Sequence, residues 1–278
     1  MSKGVLIFAY NSKLDYVSIA TIAAKLVRKY LDLPVTLVTN VDVPDDSVFD
    51  QIIIQETTGI AYDRVFNFSS GKERVQWHNQ NRSNAYELSP YDQTLLLDAD
   101  YLIFDNSLKK LFDTNLEFAC YDSVTDISGQ QDLQLGARVG NPGIPMQWAT
   151  VVYFTKNLLT ASIFGFMQSI KKDYLYYAGA YNFGAELFRN DYTLSIALQA
   201  LTGYNTSNFT AIPGSLITSN TMMEIQEARP NGEIVFVWQY NPRDKPQITK
   251  ISNTSVHVMN KKSITDTVIL QQLGELAK

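Results

Sequence analysis

The chain has 278 residues, of which 45% are hydrophobic and 18% are charged, and its formal net charge is −5 at pH 7. Such a chain can bury one large core or two small ones, and we favour one continuous domain. The acidic balance argues against a surface coated with positive charge for nucleic acid, but it permits a local basic groove. A single cysteine, Cys120, excludes an internal disulfide and a thiolate metal cluster, so we expect it to be a small buried residue.

The beginning of the chain predicts a strand–helix–strand unit. Residues 5–10 are typical of a buried strand, Asp15 can cap the helix that follows, and Pro34 ends that helix. Further strands are predicted at 35–39 and 51–54, which favours a parallel sheet covered by helices. No Gly-x-Gly-x-x-Gly follows the first strand, so the dinucleotide fingerprint is absent.

Targeting and membrane segments are not predicted. The first four residues lead directly into a strand rather than into a secretory signal. No apolar stretch approaches the roughly 20 residues of a membrane span. We therefore expect a cytoplasmic protein.

The rest of the chain predicts further alternation of helices and strands. We expect helices over 72–88, 164–181 and 193–201, and a polar, mobile loop over 123–143. Short strands are predicted at 117–121, 148–154, 233–238 and 255–259.

Two aspartates, Asp98 and Asp100, interrupt an apolar and strand-like run over 94–104. An unpaired ion in a dry interior costs several kcal/mol or more, so a bound cation is the expected compensation. Paired carboxylates beside open coordination positions suit Mg²⁺ or Mn²⁺ carrying a diphosphate. Asp-x-Asp alone occurs about once by chance in a chain of this length, and the specificity comes from the strand on each side. The alternative is a strand end whose carboxylates cap the next helix or face water.

These features together resemble the nucleotide-sugar glycosyltransferases of the GT-A fold, and the pattern is similar to that of the glycogenin-like enzymes. The resemblance is carried by the initial strand–helix–strand unit, an Arg-bearing helix before Leu95–Asp100, and a late His followed by Lys. The segment 188–192 ahead of a helix also resembles transferases encoded by tailed bacteriophages, which would place the protein in the host cytoplasm. The resemblance implies an α/β fold with one GT-A-like, Rossmann-like domain over 1–278. Its central, mostly parallel sheet is flanked by helices, with a nucleotide-binding half over 1–105 and an acceptor-binding half over 106–278.

The resemblance also implies a ligand set for the cation. Asp98 contacts the donor ribose or the water shell of the metal, Asp100 binds the metal directly, and His257 completes the coordination sphere. A lysine after the histidine reaches the diphosphate in the family. The family's glycine between the two residues and its Lys-Pro-Trp ending are missing here, and Asn260–Lys261–Lys262 stands instead, so both lysines are candidates, with Lys261 the first of them. Without the resemblance, a lone histidine such as His257 is more often structural.

Other residues are implied to hold the donor. The turn Ala9–Tyr10–Asn11 follows the first strand and holds the nucleotide in the family, so Tyr10 can stack on the base; the alternative is an ordinary surface tyrosine. The guanidinium of Arg82 suits the diphosphate, with Lys72 and Arg74 as weaker candidates, and an exposed helix face is the alternative.

Two acidic residues are candidates for catalysis. An inverting transferase needs a carboxylate base that deprotonates the acceptor hydroxyl, and Glu186 and Asp191 are the candidates. Asp191 can equally be the N-cap of the helix behind it. An aromatic series over 164–183 is expected to line the core or an acceptor groove.

We therefore predict a glycosyltransferase that uses Mn²⁺ or Mg²⁺ to move a sugar from a nucleoside diphosphate, expected to be UDP, to a hydroxyl. The acceptor is a glycan or a hydroxymethylated base in phage DNA. A DNA acceptor requires a basic groove, for which the candidates are Arg138, Lys171, Lys172, Arg229 and Arg243. One alternative is a sugar nucleotidyltransferase, but enzymes of that class have a Gly-rich loop after the first strand, and no such loop is present here. The other alternative is a non-catalytic carbohydrate-binding protein. The oligomeric state is left open.

Overall fold

The computed structural model describes residues 1–44, 48–56, 62–68, 71–77, 79–129, 138–141, 143–184, 187–203, 210–239 and 243–278. For residues 62–68, 71–77 and 79–80 it describes the backbone alone. Among all these residues, no helix is both long and apolar enough to cross a membrane.

The first part of the chain alternates strands and helices and contains a short 3₁₀ helix at Asn79–Asn84. Its elements are β1 (Lys3–Ala9), α1 (Tyr16–Leu31), β2 (Val35–Thr39), β3 (Gln51–Ile54), β4 (Tyr62–Phe68), β5 (Gly71–Trp77), α2 (Ala85–Leu88), β6 (Gln93–Asp98) and β7 (Tyr101–Leu102).

The second part begins with another 3₁₀ helix at Ser107–Asp113. Its strands and central helices are β8 (Phe118–Tyr121), β9 (Val124–Asp126), β10 (Arg138–Val139), β11 (Ile144–Pro145), β12 (Trp148–Thr155), α3 (Leu158–Lys172), α4 (Tyr174–Tyr181) and α5 (Asn190–Leu201). The last elements are β13 (Thr210–Ala211), β14 (Leu216–Ser219), β15 (Glu224–Ala228), β16 (Glu233–Trp238), β17 (Gln247–Ser252), β18 (Val256–Val258), α6 (Lys261–Thr265) and α7 (Thr267–Leu276).

A large central sheet organises the described part of the chain, with seven strands in the order β13-β8-β12-β6-β1-β2-β3. The pairs β6/β1, β1/β2 and β2/β3 are parallel, and β12 runs antiparallel to both of its neighbours. Residues of β1 and β6 alternate between two apolar clusters on opposite faces of the sheet. The strands are therefore near-continuously hydrophobic, as expected for a sheet covered on both sides. The α/β prediction, with a mostly parallel sheet flanked by helices, is confirmed.

The helix boundaries follow from their caps. Asp15 caps α1 as predicted, because its side chain accepts a hydrogen bond from the backbone N–H of Ser18. The predicted helix over 164–181 is wrong in its bounds, since α3 begins at Leu158 and a separate helix, α4, begins at Tyr174. The early start has a local cause: Asn157 and Thr160 form a capping box.

The prediction of a helix over 72–88 is wrong for its first half. Residues 71–77 form β5, which pairs antiparallel with β4 from Tyr62↔Trp77 to Phe68↔Gly71. Strand pairing depends on a partner segment, and a local search for helical spacing does not detect one. The region around Arg82 is helical, but it is a 3₁₀ helix followed by the four-residue α2.

A second sheet has the order β7-β18-β14-β9 in the described residues, and its strand β9 comes from the region predicted as a loop over 123–143. Strand β10 also lies in that region, so the prediction of a loop is wrong at Val124–Asp126 and at Arg138–Val139. Residues 130–137 lie outside the described residues. This smaller sheet brings β18, from late in the chain, beside β7, which follows the Asp-x-Asp segment.

Gly140 provides a test of the packing between the β10–β11 hairpin and α4. It has a φ of +76°, and a Cβ atom on it would lie 1.7 Å from the carbonyl oxygen of Tyr181. We expect Gly140→Ala to lower the free energy of unfolding by about 3 kcal/mol, since backbone strain and a backbone clash act together. Urea denaturation measures this.

Gly129 is the matched control, because its φ is +74° and no atom of the described residues lies within 4 Å of an added Cβ. Gly129→Ala carries the conformational strain alone and is expected to cost about 1 kcal/mol. If the two variants lose the same free energy of unfolding, the close contact at Gly140 is contradicted.

Candidate functional site

A cleft opens at the carboxyl ends of β1 and β6. The chain passes from β1 to β2 on one side and returns as β6 on the other, so the cleft lies at a topological switch point of the sheet. Its lining residues include Phe8, Tyr10, Tyr16, Arg82, Asp98, Asp100, Trp148, Ala149, Arg189, Asn190, Asp191, Leu216, Thr218, His257, Met259 and Lys261.

The two aspartates and His257 meet in this cleft. One ligand atom from each of Asp98, Asp100 and His257 lies within 4.8 Å of the others. His257 Nε2 lies 3.3 Å from Asp100 Oδ2 and 4.0 Å from Asp98 Oδ2. The three residues that the sequence proposes as ligands are therefore within reach of one ion.

The smaller sheet explains how His257 arrives there. Asp98 ends β6, and β7 begins directly after Asp100. Strand β18 pairs antiparallel with β7, with His257 opposite Tyr101, and the backbone N–H of Val258 donates to the carbonyl oxygen of Asp100 at 2.9 Å. The Asp-x-Asp segment thus joins the two sheets, and each sheet supplies part of the site.

The surroundings of Asp100 shift its pKa strongly. Its burial by itself raises the pKa, but Lys261 and His257 outweigh that effect and hold the pKa of Asp100 far below its usual range. Lys261 Nζ lies 2.5 Å from Asp100 Oδ2, and the side chains are 7% and 6% exposed. Asp100 is therefore held as an anion in a nearly dry environment.

The donor set fits a divalent cation. Asp100 Oδ2 is buried beside His257 Nε2 and Lys261 Nζ, and an ionised carboxylate has about four acceptor positions, more than these two contacts occupy. Two carboxylates with one imidazole form a mixed oxygen and nitrogen set that suits Mn²⁺ better than Mg²⁺. Asp98, Asp100 and His257 could hold such an ion.

Arg82 is not on an exposed helix face, so that alternative is wrong. Its side chain is 2% exposed, and it pairs through Nη1 with Asp98 Oδ1 and donates through Nη2 to the carbonyl oxygen of Ala149 at 2.6 Å. Burial lowers the pKa of Arg82 to about 10, although the charges of Asp191 and Asp100 raise it in part. Arg82 lines the cleft, but these contacts direct its guanidinium toward Asp98 and the backbone.

Asp191 faces the same cleft but is not the N-cap of α5, so the capping alternative is wrong. Helix α5 begins at Asn190 with Arg189 at the cap position. Asp191 Oδ1 accepts a hydrogen bond from the backbone N–H of Ala149 at 2.9 Å, and Oδ2 pairs with Arg189 Nη2 at 2.9 Å. Both oxygens are thus engaged.

The N-terminal turn also contributes to the cleft. Tyr10 is 4% exposed and donates its hydroxyl proton to Gln55 Oε1 at 2.7 Å, so the alternative of a surface tyrosine is wrong. Burial raises the pKa of Tyr10 to about 12. Ala9 is buried, and Asn11 orders the turn by accepting from the N–H of Val17 and donating to Asp15.

Several other predicted residues are placed outside this arrangement. Glu186 lies outside the described residues, as do the side chains of Lys72 and Arg74. Lys261 lines the cleft, and Lys262 is not among its described lining residues. Cys120 is buried as expected, and burial raises the pKa of its thiol.

The basic residues suggested for a DNA groove are largely committed to other contacts. Arg229 pairs with Glu227 and Glu233. Lys171 Nζ donates to Asn81 Oδ1 at 2.8 Å, and Arg138 donates to the carbonyl oxygen of Gly143 at 2.8 Å.

Sequence reasoning missed the contribution of Ala149 and of the smaller sheet. Thr218 and Leu216 of β14 line the cleft, together with Met259 after β18 and Tyr16 at the start of α1. The positions of Leu216, Thr218 and Met259 depend on the pairing of β14 with β18, for which the sequence offers no local signal.

No family model and no curated protein matches this chain. Among solved structures, the glycosyltransferase GlyE of Streptococcus pneumoniae TIGR4 is 15% identical with a TM-score of 0.43, and the match covers 77% of this chain and 46% of GlyE. The galactosyltransferase LgtC is 15% identical with a TM-score of 0.43 and 70% of each chain covered. Mouse xyloside xylosyltransferase 1 is 10% identical with a TM-score of 0.39, covering 73% of this chain and 83% of that protein. At these values the matches assign neither an activity nor a site to this chain, which spans about half the length of GlyE.

Proposed function

We propose that this protein is a metal-dependent glycosyltransferase that moves a sugar from a nucleoside diphosphate to a hydroxyl acceptor. The observation that carries the proposal is the convergence of Asp98, Asp100 and His257 within 4.8 Å in a cleft at the switch point of the sheet. Such a site holds a cation where a ligand bound at the strand ends can reach it. The family resemblance makes uridine the expected base.

The charge of the cleft favours a diphosphate. Among the described lining residues there are three cations, Arg82, Arg189 and Lys261, and three carboxylates, Asp98, Asp100 and Asp191. The charges of these described residues cancel, so a divalent ion would give this set a surplus of two positive charges. A nucleoside diphosphate sugar carries one negative charge on each of its two phosphates and matches that surplus. A nucleoside triphosphate, which a sugar nucleotidyltransferase uses, is more negative and matches it less well.

The residues divide into a donor side and an acceptor side. Asp98, Asp100 and His257 would hold a cation, which would supply Lewis-acid stabilisation of the leaving diphosphate. Lys261 lies at the same carboxylate and places a second positive charge beside the phosphates. Tyr10, Tyr16 and Asp191 line the same cleft, and the proposal assigns the two tyrosines to the donor and Asp191 to the acceptor hydroxyl.

We favour a carbohydrate hydroxyl over a modified base in DNA as the acceptor. A DNA acceptor needs free positive charge along a groove, whereas Arg229, Lys171 and Arg138 have protein partners. Trp148 and other aromatic rings near the cleft suit the apolar face of a sugar ring.

Slow hydrolysis of the donor tests the proposal without knowledge of the acceptor. The protein is incubated with UDP-glucose, UDP-galactose and matched GDP-sugars, with Mn²⁺ or with EDTA, and the released nucleoside diphosphate is quantified. We expect Mn²⁺-dependent release from at least one donor. We also expect the donor at 100 times its Kd to stabilise the fold by about 2.7 kcal/mol, or about 5 °C in Tm for a chain of this size.

Two results would contradict the proposal. One is the absence of both hydrolysis and a Mn²⁺-dependent rise in Tm across the panel. The other is the formation of a nucleotide sugar from a nucleoside triphosphate and a sugar phosphate, which would identify the nucleotidyltransferase alternative instead.

A further inference from the structure

Strand β12 has an irregularity beside the cleft. Its pairing with β8 shifts register between Trp148 and Val152: Trp148 lies opposite Tyr121, and Val152 lies opposite Cys120. Ala149 falls inside this irregular stretch, which is a bulge of the kind found next to active sites. In a regular strand the peptide groups of such a residue would bond to the neighbouring strand.

Charged side chains form hydrogen bonds with both the N–H and the carbonyl oxygen of Ala149. Its carbonyl oxygen accepts from Arg82 Nη2 at 2.6 Å, and its N–H donates to Asp191 Oδ1 at 2.9 Å. Arg82 also pairs with Asp98 Oδ1, while Asp98 Oδ2 faces His257. A continuous chain of contacts therefore runs from the candidate cation site through Asp98, Arg82 and the Ala149 backbone to Asp191.

Burial makes this chain of contacts strong. Arg82 is 2% exposed and its Nε atom makes no hydrogen bond within the described residues, so its charge is compensated through the other two nitrogens. Hydrogen bonds to a charged group in a nearly dry environment are stronger than those between neutral groups. A change in the position of Asp98 must consequently be felt by the Ala149 carbonyl, because the two share one rigid, planar guanidinium.

We propose that Arg82 is a positioning residue that couples the cation site to Asp191 through the peptide groups of Ala149. The inference rests on the proposed function, since it assigns Asp98 to the cation and Asp191 to the acceptor side. Its consequence is that donor-side binding and the orientation of the acceptor-side carboxylate are linked. By thermodynamic reciprocity, a change at Asp191 must alter the affinity for the cation.

A double-mutant cycle with Mn²⁺ alone tests the coupling. The dissociation constant of Mn²⁺ is measured by electron paramagnetic resonance for the wild type, Asp191→Asn, Arg82→Met and the double variant. We expect Asp191→Asn to weaken Mn²⁺ binding about 5-fold, although Asp191 is not a candidate ligand. In the Arg82→Met background the same substitution is expected to change the affinity less than about 2-fold.

The cycle separates this coupling from a direct electrostatic effect. If Asp191→Asn weakens Mn²⁺ binding by the same factor in both backgrounds, the loss comes from the charge of Asp191 alone and the coupling through Arg82 is refuted. Should Arg82→Met fail to fold, Arg82→Lys keeps the charge but has no planar fork, and it is expected to reduce the coupling likewise. Failure of the wild type to bind Mn²⁺ would overturn the proposed function. If the wild type binds Mn²⁺ but Asp191→Asn changes the Mn²⁺ affinity equally in both backgrounds, this inference alone is overturned.

Discussion

Asp100→Asn is expected to abolish measurable Mn²⁺ binding and to lower metal-dependent turnover by about 10³-fold, since a Lewis acid supplies several kcal/mol to such a reaction. The amide keeps the shape of the side chain but removes the anion that faces His257 and Lys261. Titration with Mn²⁺ followed by electron paramagnetic resonance, together with donor hydrolysis, measures both effects.

The structure also predicts a cost in stability for this variant. Lys261 is 7% exposed and lies 2.5 Å from Asp100 Oδ2, so loss of the anion leaves a buried ammonium without that partner charge. Removal of one member of a buried pair costs about 3 kcal/mol. The double variant Asp100→Asn with Lys261→Met is expected to regain most of that loss in urea denaturation while it stays unable to bind Mn²⁺. Wild-type Mn²⁺ affinity in Asp100→Asn would exclude Asp100 as a ligand.

Lys261→Met is expected to have opposite effects on the two ligands. The substitution removes the ammonium of Lys261, which competes with a metal ion for Asp100, so Mn²⁺ alone is expected to bind about 10-fold more tightly. A nucleoside diphosphate added with Mn²⁺ is expected to bind about 10²-fold more weakly, because a charged contact to the phosphates is lost. Calorimetric titration of Mn²⁺, and then of UDP with Mn²⁺ present, gives both affinities.

Lys262→Met is the matched control for this pair of measurements. Lys262 is the next residue in α6 and is not among the described residues that line the cleft. We expect it to change each affinity less than about 2-fold, as is usual for a solvent-screened charge. If Lys262→Met weakens UDP binding as much as Lys261→Met does, the assignment of Lys261 to the phosphates is wrong.

The sequence predicts well those features that depend on local patterns. The buried strands β1, β2 and β6 and the cap at Asp15 follow from apolar runs and from a helix-capping residue. The family resemblance places Asp98, Asp100 and His257 in one site, and the structure brings their ligand atoms together.

The features that sequence reasoning missed depend on contacts between distant segments. Strand β5 is defined by its pairing with β4, and the smaller sheet by the pairing of β14 with β9 and β18. Arg82 is a further example. A basic residue near an acidic motif suggests phosphate binding, but in the structure Arg82 contacts Asp98 and the backbone of Ala149. Its burial and its bond to a bulged backbone cannot be inferred from neighbours in the sequence.

The pairing of β18 with β7 has a consequence for folding kinetics. Asp98 and Asp100 can be held by the central sheet before β18 docks, but His257 and Lys261 reach them only when that late segment has found its partner strand. Contacts between such distant segments form slowly, since the loop between them must first be closed. Recovery of Mn²⁺ affinity during refolding should therefore lag behind recovery of helical circular dichroism, which makes the ion a reporter of the last stage of assembly.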